Sequence, residues 1–156
     1  MFRGRFELKL DPKGRVKVPP AYRQILLPAK SKASPQVVIT NSQYNSQRCL
    51  DVYTLKEWEK LEKKFFQKNS LMPEVQAYQR FYLASGQVVQ LDAQNRFLIP
   101  QSLRKYSGLG ENQDVMLVGM GAKFEIWKVS EWNKLFNGLA NDFEKNLNVI
   151  ASIGGE

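Results

Sequence analysis

The chain has no histidine and a single cysteine, Cys49. Without histidine there is no His-based triad, no imidazole acid–base catalyst and no His-containing zinc site; one thiol makes neither a thiolate cluster nor an intrachain disulfide. A lone cysteine agrees with a reducing compartment, and within the apolar run "CLDVY" Cys49 reads as a small buried residue. Long hydrophobic runs are missing too. No stretch of about eighteen apolar residues exists for a membrane span, and the opening "MFRGRFELKL" alternates charge with apolar residues where a signal peptide would have a continuous apolar core. The expectation is a cytoplasmic soluble protein with no membrane partner. Asp and Glu are scattered over helix surfaces and turns, so no enzyme, metal or cofactor is called for.

What is present is apolar mass and positive charge. With 156 residues, 43% apolar and 12% aromatic, the chain can bury one good core or two small half-cores packed together. The net charge is +8, from 23 Lys and Arg against 15 Asp and Glu. An excess of this size marks either a polyanion partner, through counterion release, or merely a solvated basic surface. Position favours the first: residues 1–32 hold nine Lys and Arg (Arg3, Arg5, Lys9, Lys13, Arg15, Lys17, Arg23, Lys30, Lys32) against Glu7 and Asp11.

Period-two alternation predicts a strand over Phe2–Leu10. "DPKG" then has the composition of a type I turn followed by a left-handed residue, a hairpin loop with a bulge, and Val16 and Val18 resume the apolar face. Pro19 and Pro20 stop that strand and open a short helix through "AYRQILL", which Pro28 ends. "AKSKASPQ" reads as a polar loop, "VVIT" and "CLDVY" as strands, and "NSQYNSQR" as the turn region between them. Thr54 and Glu57 have capping-box spacing ahead of Leu55, Trp58, Leu61 and Phe65 at helical intervals. A further helix runs through "NSLMPEVQAYQRFYLASG", with Gly86 just past its end.

The sequence then begins again. Leu91, Asp92, Arg96, Ile99, Pro100 and Arg104 stand 81 positions after Leu10, Asp11, Arg15, Val18, Pro19 and Arg23. A turn region "YSGLGENQD" follows, then strands "VMLVG" and "FEIW" joined by "MGAK", and a helix "SEWNKLF". Later matches (Tyr53 with Trp127, Trp58 with Trp132, Leu61 with Leu135) are offset by 74, so the first half carries seven extra residues, which belong in loops. "ANDFEKNLNVIASI" supplies a last helix matching the one before Gly86. The expected organisation is α+β, with halves 1–85 and 86–153 and a frayed tail 154–156. The halves are related by a pseudo-twofold axis, their strands interleaved in one small barrel or sandwich with helices outside.

Asp at a turn opener accepts backbone N–H groups, and an Arg four positions on can reach back to its carboxylate. This makes Asp11 and Asp92 structural turn residues. Arg15 and Arg96 admit that reading and another, a phosphate or guanine-edge contact through the guanidinium fork. Lys13 and Lys17 raise the second reading for Arg15, whereas Ala93, Gln94, Asn95, Phe97 and Leu98 leave the second turn nearly neutral apart from Arg96. Trp58, Trp132, Phe65 and Phe136 fall at core spacing on helix faces and read as packing or subunit contacts and not as base-stacking platforms. "VGMGAK" joins two strands and opens no helix, so it reads as a hairpin turn and not a phosphate loop.

"MFRG", the paired "LDPKGRVKVP" and "LDAQNRFLIP", "YTLKEWEKLE" and "VMLVGMGAKFEIW" together resemble the MraZ family of bacterial transcriptional regulators, over Met1 to about Phe136. The resemblance implies a swapped-hairpin fold of the AbrB or SpoVT type. It further implies a cytoplasmic, nucleoid-associated repressor or regulator of the division and cell-wall gene cluster, its own promoter included, whose ring homo-oligomers engage short G-rich direct repeats in double-stranded DNA. Carried over by position, the DNA-contacting residues are Arg15 and Arg96 with Lys13 and Gly14; the basic residues Arg3, Arg5 and Lys17 join them from the charge pattern. Asn95, where the first copy has Gly14, departs from the pattern but tolerates a left-handed backbone. The competing function is a basic protein-interaction or assembly module with no preference among DNA sequences.

Overall fold

The computed structural model describes residues 1–27, 35–66 and 71–154. The helix stop at Pro28, most of the polar loop that follows it with Lys30 and Lys32, Asn69 and Ser70 ahead of the helix that ends near Gly86, and Gly155 and Glu156 of the tail lie outside them.

Among the described residues there are eight strands and six α-helices: β1 Arg5–Lys9, β2 Arg15–Lys17, α1 Pro20–Leu26, β3 Gln36–Tyr44, β4 Gln47–Thr54, α2 Leu55–Phe66, α3 Pro73–Tyr78, β5 Gln87–Gln90, β6 Arg96–Leu98, α4 Gln101–Ser107, β7 Asp114–Gly119, β8 Lys123–Lys128, α5 Val129–Asn141 and α6 Phe143–Gly154. The Thr54 hydroxyl accepts the Glu57 N–H at 3.2 Å, so the expected cap starts α2. "MGAK" is the expected hairpin turn, closed by Met120 N–H to Lys123 O. "NSQYNSQR" differs from the reading as a turn region. β3 and β4 stay paired up to Tyr44 and Gln47, and the reversal takes only Asn45 and Ser46, both at positive φ as a two-residue I′ turn requires. The polar residues there still alternate between sheet faces, and Asn41 is buried. α3 passes into a π-helical turn, Gln79–Leu83, closed by Ala84 N–H to Gln79 O.

The main sheet is antiparallel, in the order β1-β7-β8-β4-β3-β5. Its ladders end at β1 and β5, so it is an open sheet and not a closed barrel. β2 and β6 form a separate two-stranded ribbon, registering Arg15 with Leu98, Val16 with Phe97 and Lys17 with Arg96. The first turn therefore does not join a simple hairpin. The strand before it pairs with β7, and the strand after it crosses to its counterpart from the second half.

The ribbon, α1 and α4 close over one face of the sheet. Val16, Phe97, Tyr22, Leu103, Leu50, Val52, Phe124 and Ile126 belong to this core, with Phe2, Tyr22 and Phe124 in mutual ring contact. On the other face two smaller clusters lie side by side. One places Trp58, Tyr82 and Leu83 on Val38 and Tyr53, under α2 and the π turn; the other places Trp132 and Leu135 of α5 on Trp127 and Val118. Trp58 and Trp132 are the packing residues expected, while Phe65 is partly buried and Phe136 and Phe81 stay largely exposed. α6 continues α5 across Asp142, through Asn146 N–H to Asp142 O, and its Phe143, Leu147 and Ile150 are exposed. It therefore does not bury a face as the helix before Gly86 does, and it includes Gly154, the first residue of the expected tail.

Gly86 ends the π segment flat against an indole: a Cβ there would overlap Cζ2 of buried Trp58. Gly86→Ala is expected to cost about 1–3 kcal/mol by overpacking. Gly138→Ala, in α5 with open space around it, should gain about 0.5–1 kcal/mol from helix propensity. Urea unfolding of both variants checks the contrast, and equal midpoints would contradict it.

Candidate nucleic-acid interface

In the first turn, Oδ1 of Asp11 accepts the backbone N–H groups of Lys13 and Arg15, each at 2.9 Å, and Oδ2 pairs with Arg15 Nε. The reversal is closed by Gly14 N–H to Asp11 O at 2.9 Å. Gly14 stands at φ +82°, and a Cβ on it would fall 2.6–2.8 Å from the Arg104 side chain. It is glycine because the turn is left-handed there and because an arginine of the other half lies across it. Burial raises the Asp11 pKa, but the Arg15 and Lys13 N–H groups and the Arg15 guanidinium outweigh it, and the carboxyl is held below its usual value.

The second turn repeats this with one addition. Asp92 Oδ1 accepts the N–H groups of Gln94 and Arg96 at 2.9 and 3.0 Å, and Oδ2 pairs with Arg96 Nε at 2.9 Å. The Arg96 N–H is the main cause holding this carboxyl below its usual value. Asn95 takes the left-handed position at φ +59°, so the substitution for glycine keeps the turn. The addition is a bond from Arg96 Nη2 to Gln94 Oε1 at 2.6 Å. Arg96 Nη1 also approaches Asp11 Oδ2 at 3.9 Å, which links the two turns. Behind them, Arg23 Nε donates to Val18 O and Arg104 Nε to Ile99 O, at 3.0 and 3.1 Å.

Because side chains alternate along a strand, Val16 and Phe97 point into the core and the other ribbon face carries Arg15, Lys17, Arg96 and Leu98. Lys13 and Lys17 are exposed, and the Arg15 and Arg96 side chains keep 27% exposure each. Lys17 lies opposite Arg96 in register, and Asp92 compensates the Arg96 charge. Thus Arg15, Lys13, Gly14, Arg96 and Lys17 come together, with Asp11 and Asp92 beneath. Arg3 and Arg5 do not join them. They stand at the far end of β1, roughly 20 Å of extended strand from the turn, and the Arg5 guanidinium lies 4.6 Å from the Phe136 ring centroid.

Three residues in the cluster were not singled out from sequence: Gln94, Leu98 and, as the cover of Gly14, Arg104. The only signal for them was the 81-residue offset, which pairs Gln94 with Lys13 and Arg104 with Arg23.

Among the described residues, two of the scattered carboxylates meet beside the thiol. Asp51 and Glu125 are cross-strand partners, and their oxygens and Cys49 Sγ lie within 4.8 Å of one another, near enough to share a metal ion. However, Lys123 Nζ already sits on Asp51 Oδ2 at 2.7 Å and 3.7 Å from Glu125, and Tyr82 also donates to Asp51. Burial holds the Cys49 thiol well above its usual pKa, so it stays protonated. Burial also opposes the Lys123 charge, yet Asp51 outweighs it and raises the ammonium's pKa. An ammonium thus holds the place a cation would take, and the group reads as a buried ion pair bridging the two outer clusters.

The fold and this face define a class: a small α+β chain that carries one Asp-x-x-x-Arg turn twice and presents a basic ribbon. The chain belongs to the MraZ family, whose model, described as "MraZ protein, putative antitoxin-like", matches residues 1–81 and 83–148. Similar proteins named "Transcriptional regulator MraZ" occur in Solidesulfovibrio magneticus (35% identical over 99% of this chain and 97% of the relative), Coxiella burnetii (41% over 85% and 82%) and Nitrosospira multiformis (38% over 85% of each).

Both turn aspartates have lowered pKa values in the folded chain. Their contribution to stability is whole above the ordinary carboxylate pKa of about 4 and is lost as pH falls through the lower folded values. The drop in urea midpoint between about pH 5 and about pH 3 should be smaller in the Asp11→Asn, Asp92→Asn double variant than in the parent; identical drops would remove these carboxylates from the account.

Proposed function

We propose that the chain is a sequence-specific DNA-binding transcriptional regulator, acting as a repressor in the nucleoid on the division and cell-wall gene cluster, its own promoter included. The observation that carries this reading is the state of Arg15. Its Nε is spent on Asp11, while its two Nη groups have no hydrogen-bond partner among the described residues, and Arg15 lies on the outward ribbon face, its side chain 27% exposed, with exposed Lys13 and Lys17 two positions to either side. That leaves a held fork of donors of the kind that reads guanine O6 and N7, flanked by two lysines placed for phosphates. The regulators among its relatives support the reading by name.

In this proposal the two halves, 1–85 and 86–153, make a swapped-hairpin unit through the exchange of β2 with β6, and subunits assemble as a ring. Adjacent subunits then meet direct repeats about one helical turn, roughly 10 bp, apart. No helix among the described residues is long and apolar enough to cross a membrane, and the proposal has no membrane partner.

Duplexes from upstream of the chain's own gene provide the test, with footprinting for repeat spacing. Arg15→Ala should lose about 1–3 kcal/mol on the cognate duplex and relax discrimination against a scrambled one, whereas Lys17→Ala should weaken both alike and lower the salt slope by about 1. Wild-type affinity in Arg15→Ala would defeat the assignment. Equal binding of cognate and scrambled duplexes by the parent would favour a basic assembly module instead.

A further inference from the structure

Lys13 and Gln94 occupy the same place in the two turns, 81 residues apart, each with its backbone N–H held by the turn aspartate at 2.9 Å. Their side chains do opposite things. The Lys13 ammonium has no partner among the described residues, whereas Gln94 Oε1 accepts Arg96 Nη2 at 2.6 Å. Arg15 is tied to its turn through Nε. Arg96 is held through Nε by Asp92, through Nη2 by Gln94, and lies 3.9 Å from Asp11 through Nη1.

We propose that Gln94 is a specificity-determining residue, which joins Arg96 in one hydrogen-bonded unit fitted to the acceptor edge of a guanine. The inference rests on the DNA-binding reading above. A free glutamine suits adenine, accepting from N6 and donating to N7. Here Oε1 is turned back onto Arg96, so the planar amide, exposed at the tip of the turn, directs its Nε2 donors away from the arginine. Every outward polar group of the pair is then a donor, and the base edge that offers two adjacent acceptors in the major groove is guanine, through N7 and O6. Adenine presents a donor at N6 and is refused. Because Arg96 is fixed before DNA arrives, little side-chain freedom is lost on binding. The first turn lacks this buttress and has the exposed Lys13 in its place. The two copies therefore divide the work: the first is richer in charge, and the second is stricter about the base beneath it.

The test is selection from a pool of randomised duplexes by the full chain, Gln94→Ala and Gln94→Lys, followed by affinities for single-base variants of the selected site. Gln94 is exposed and its turn uses only its backbone, so both variants keep the fold; thermal melting checks this. The parent should select a motif containing a guanine whose replacement by adenine costs it about tenfold or more, a preference that Gln94→Ala largely loses. Gln94→Lys should lose the same preference while its salt slope steepens by about 0.9. If the parent and Gln94→Ala choose one motif with the same relative affinities, the inference is overturned and the DNA-binding reading stands. If the parent enriches no motif, the DNA-binding reading itself fails and takes the inference with it.

Discussion

Val16 and Phe97, residues 81 positions apart in the chain, face each other at the centre of a three-residue ladder, and the rest of the arrangement follows from that pairing. So short a ribbon has few hydrogen bonds and would not persist alone in water. It persists because both central side chains are buried, each worth about 1.5–3 kcal/mol relative to exposure, in a core shared with α1, α4 and the open sheet. Once they are buried, period-two alternation leaves no choice for their neighbours. Arg15, Lys17, Arg96 and Leu98 must face outward, and the two turns must flank the ribbon, one at each end.

Electrostatics within the turns then separates what holds the backbone from what remains for a partner. Each aspartate takes two main-chain N–H groups and one Nε, which fixes the loop and places the guanidinium in one motion. The acids that balance the face are those two carboxylates, and both are engaged by their own arginines. Lys13 and Lys17 remain unbalanced. Lys17 stands opposite Arg96 in register, but Arg96 is compensated by Asp92, so Lys17 is the charge of that pair left to solvent.

The turns were legible in sequence because their chemistry is local: Asp at the opener, Gly or Asn at the left-handed position and Arg four places on form bonds within five residues. α2 was legible for the same reason, through Thr54 and the spacing of Trp58, Leu61 and Phe65. The pairing of β1 with β7 and of β2 with β6 was not, since a turn signal states where the chain reverses and not which strand receives it. The polarity of "NSQYNSQR" does not distinguish turn from strand, and only Asn45 and Ser46 turn, while Asn41 and Ser42 sit in register opposite Leu50 and Cys49. Asp51 and Glu125 are 74 residues apart and met only through the β4–β8 ladder. Charge counting grouped Arg3 and Arg5 with Arg15; the length of β1 separates them, and the rings of α5 draw Arg5 away.

The arginine that roofs Gly14 belongs to the opposite half, and so does the strand that pairs with β2. The duplication is thus entangled and not modular. Removing either copy would uncover the turn of the other, and a change at Arg104 would be felt first at Gly14, a whole repeat away. The two turns can present different side chains, Lys13 against Gln94, because at that position each turn is held through its backbone N–H. Their bases are bound to each other, Gly14 O accepting the Ile99 N–H and Asn95 O the Val18 N–H.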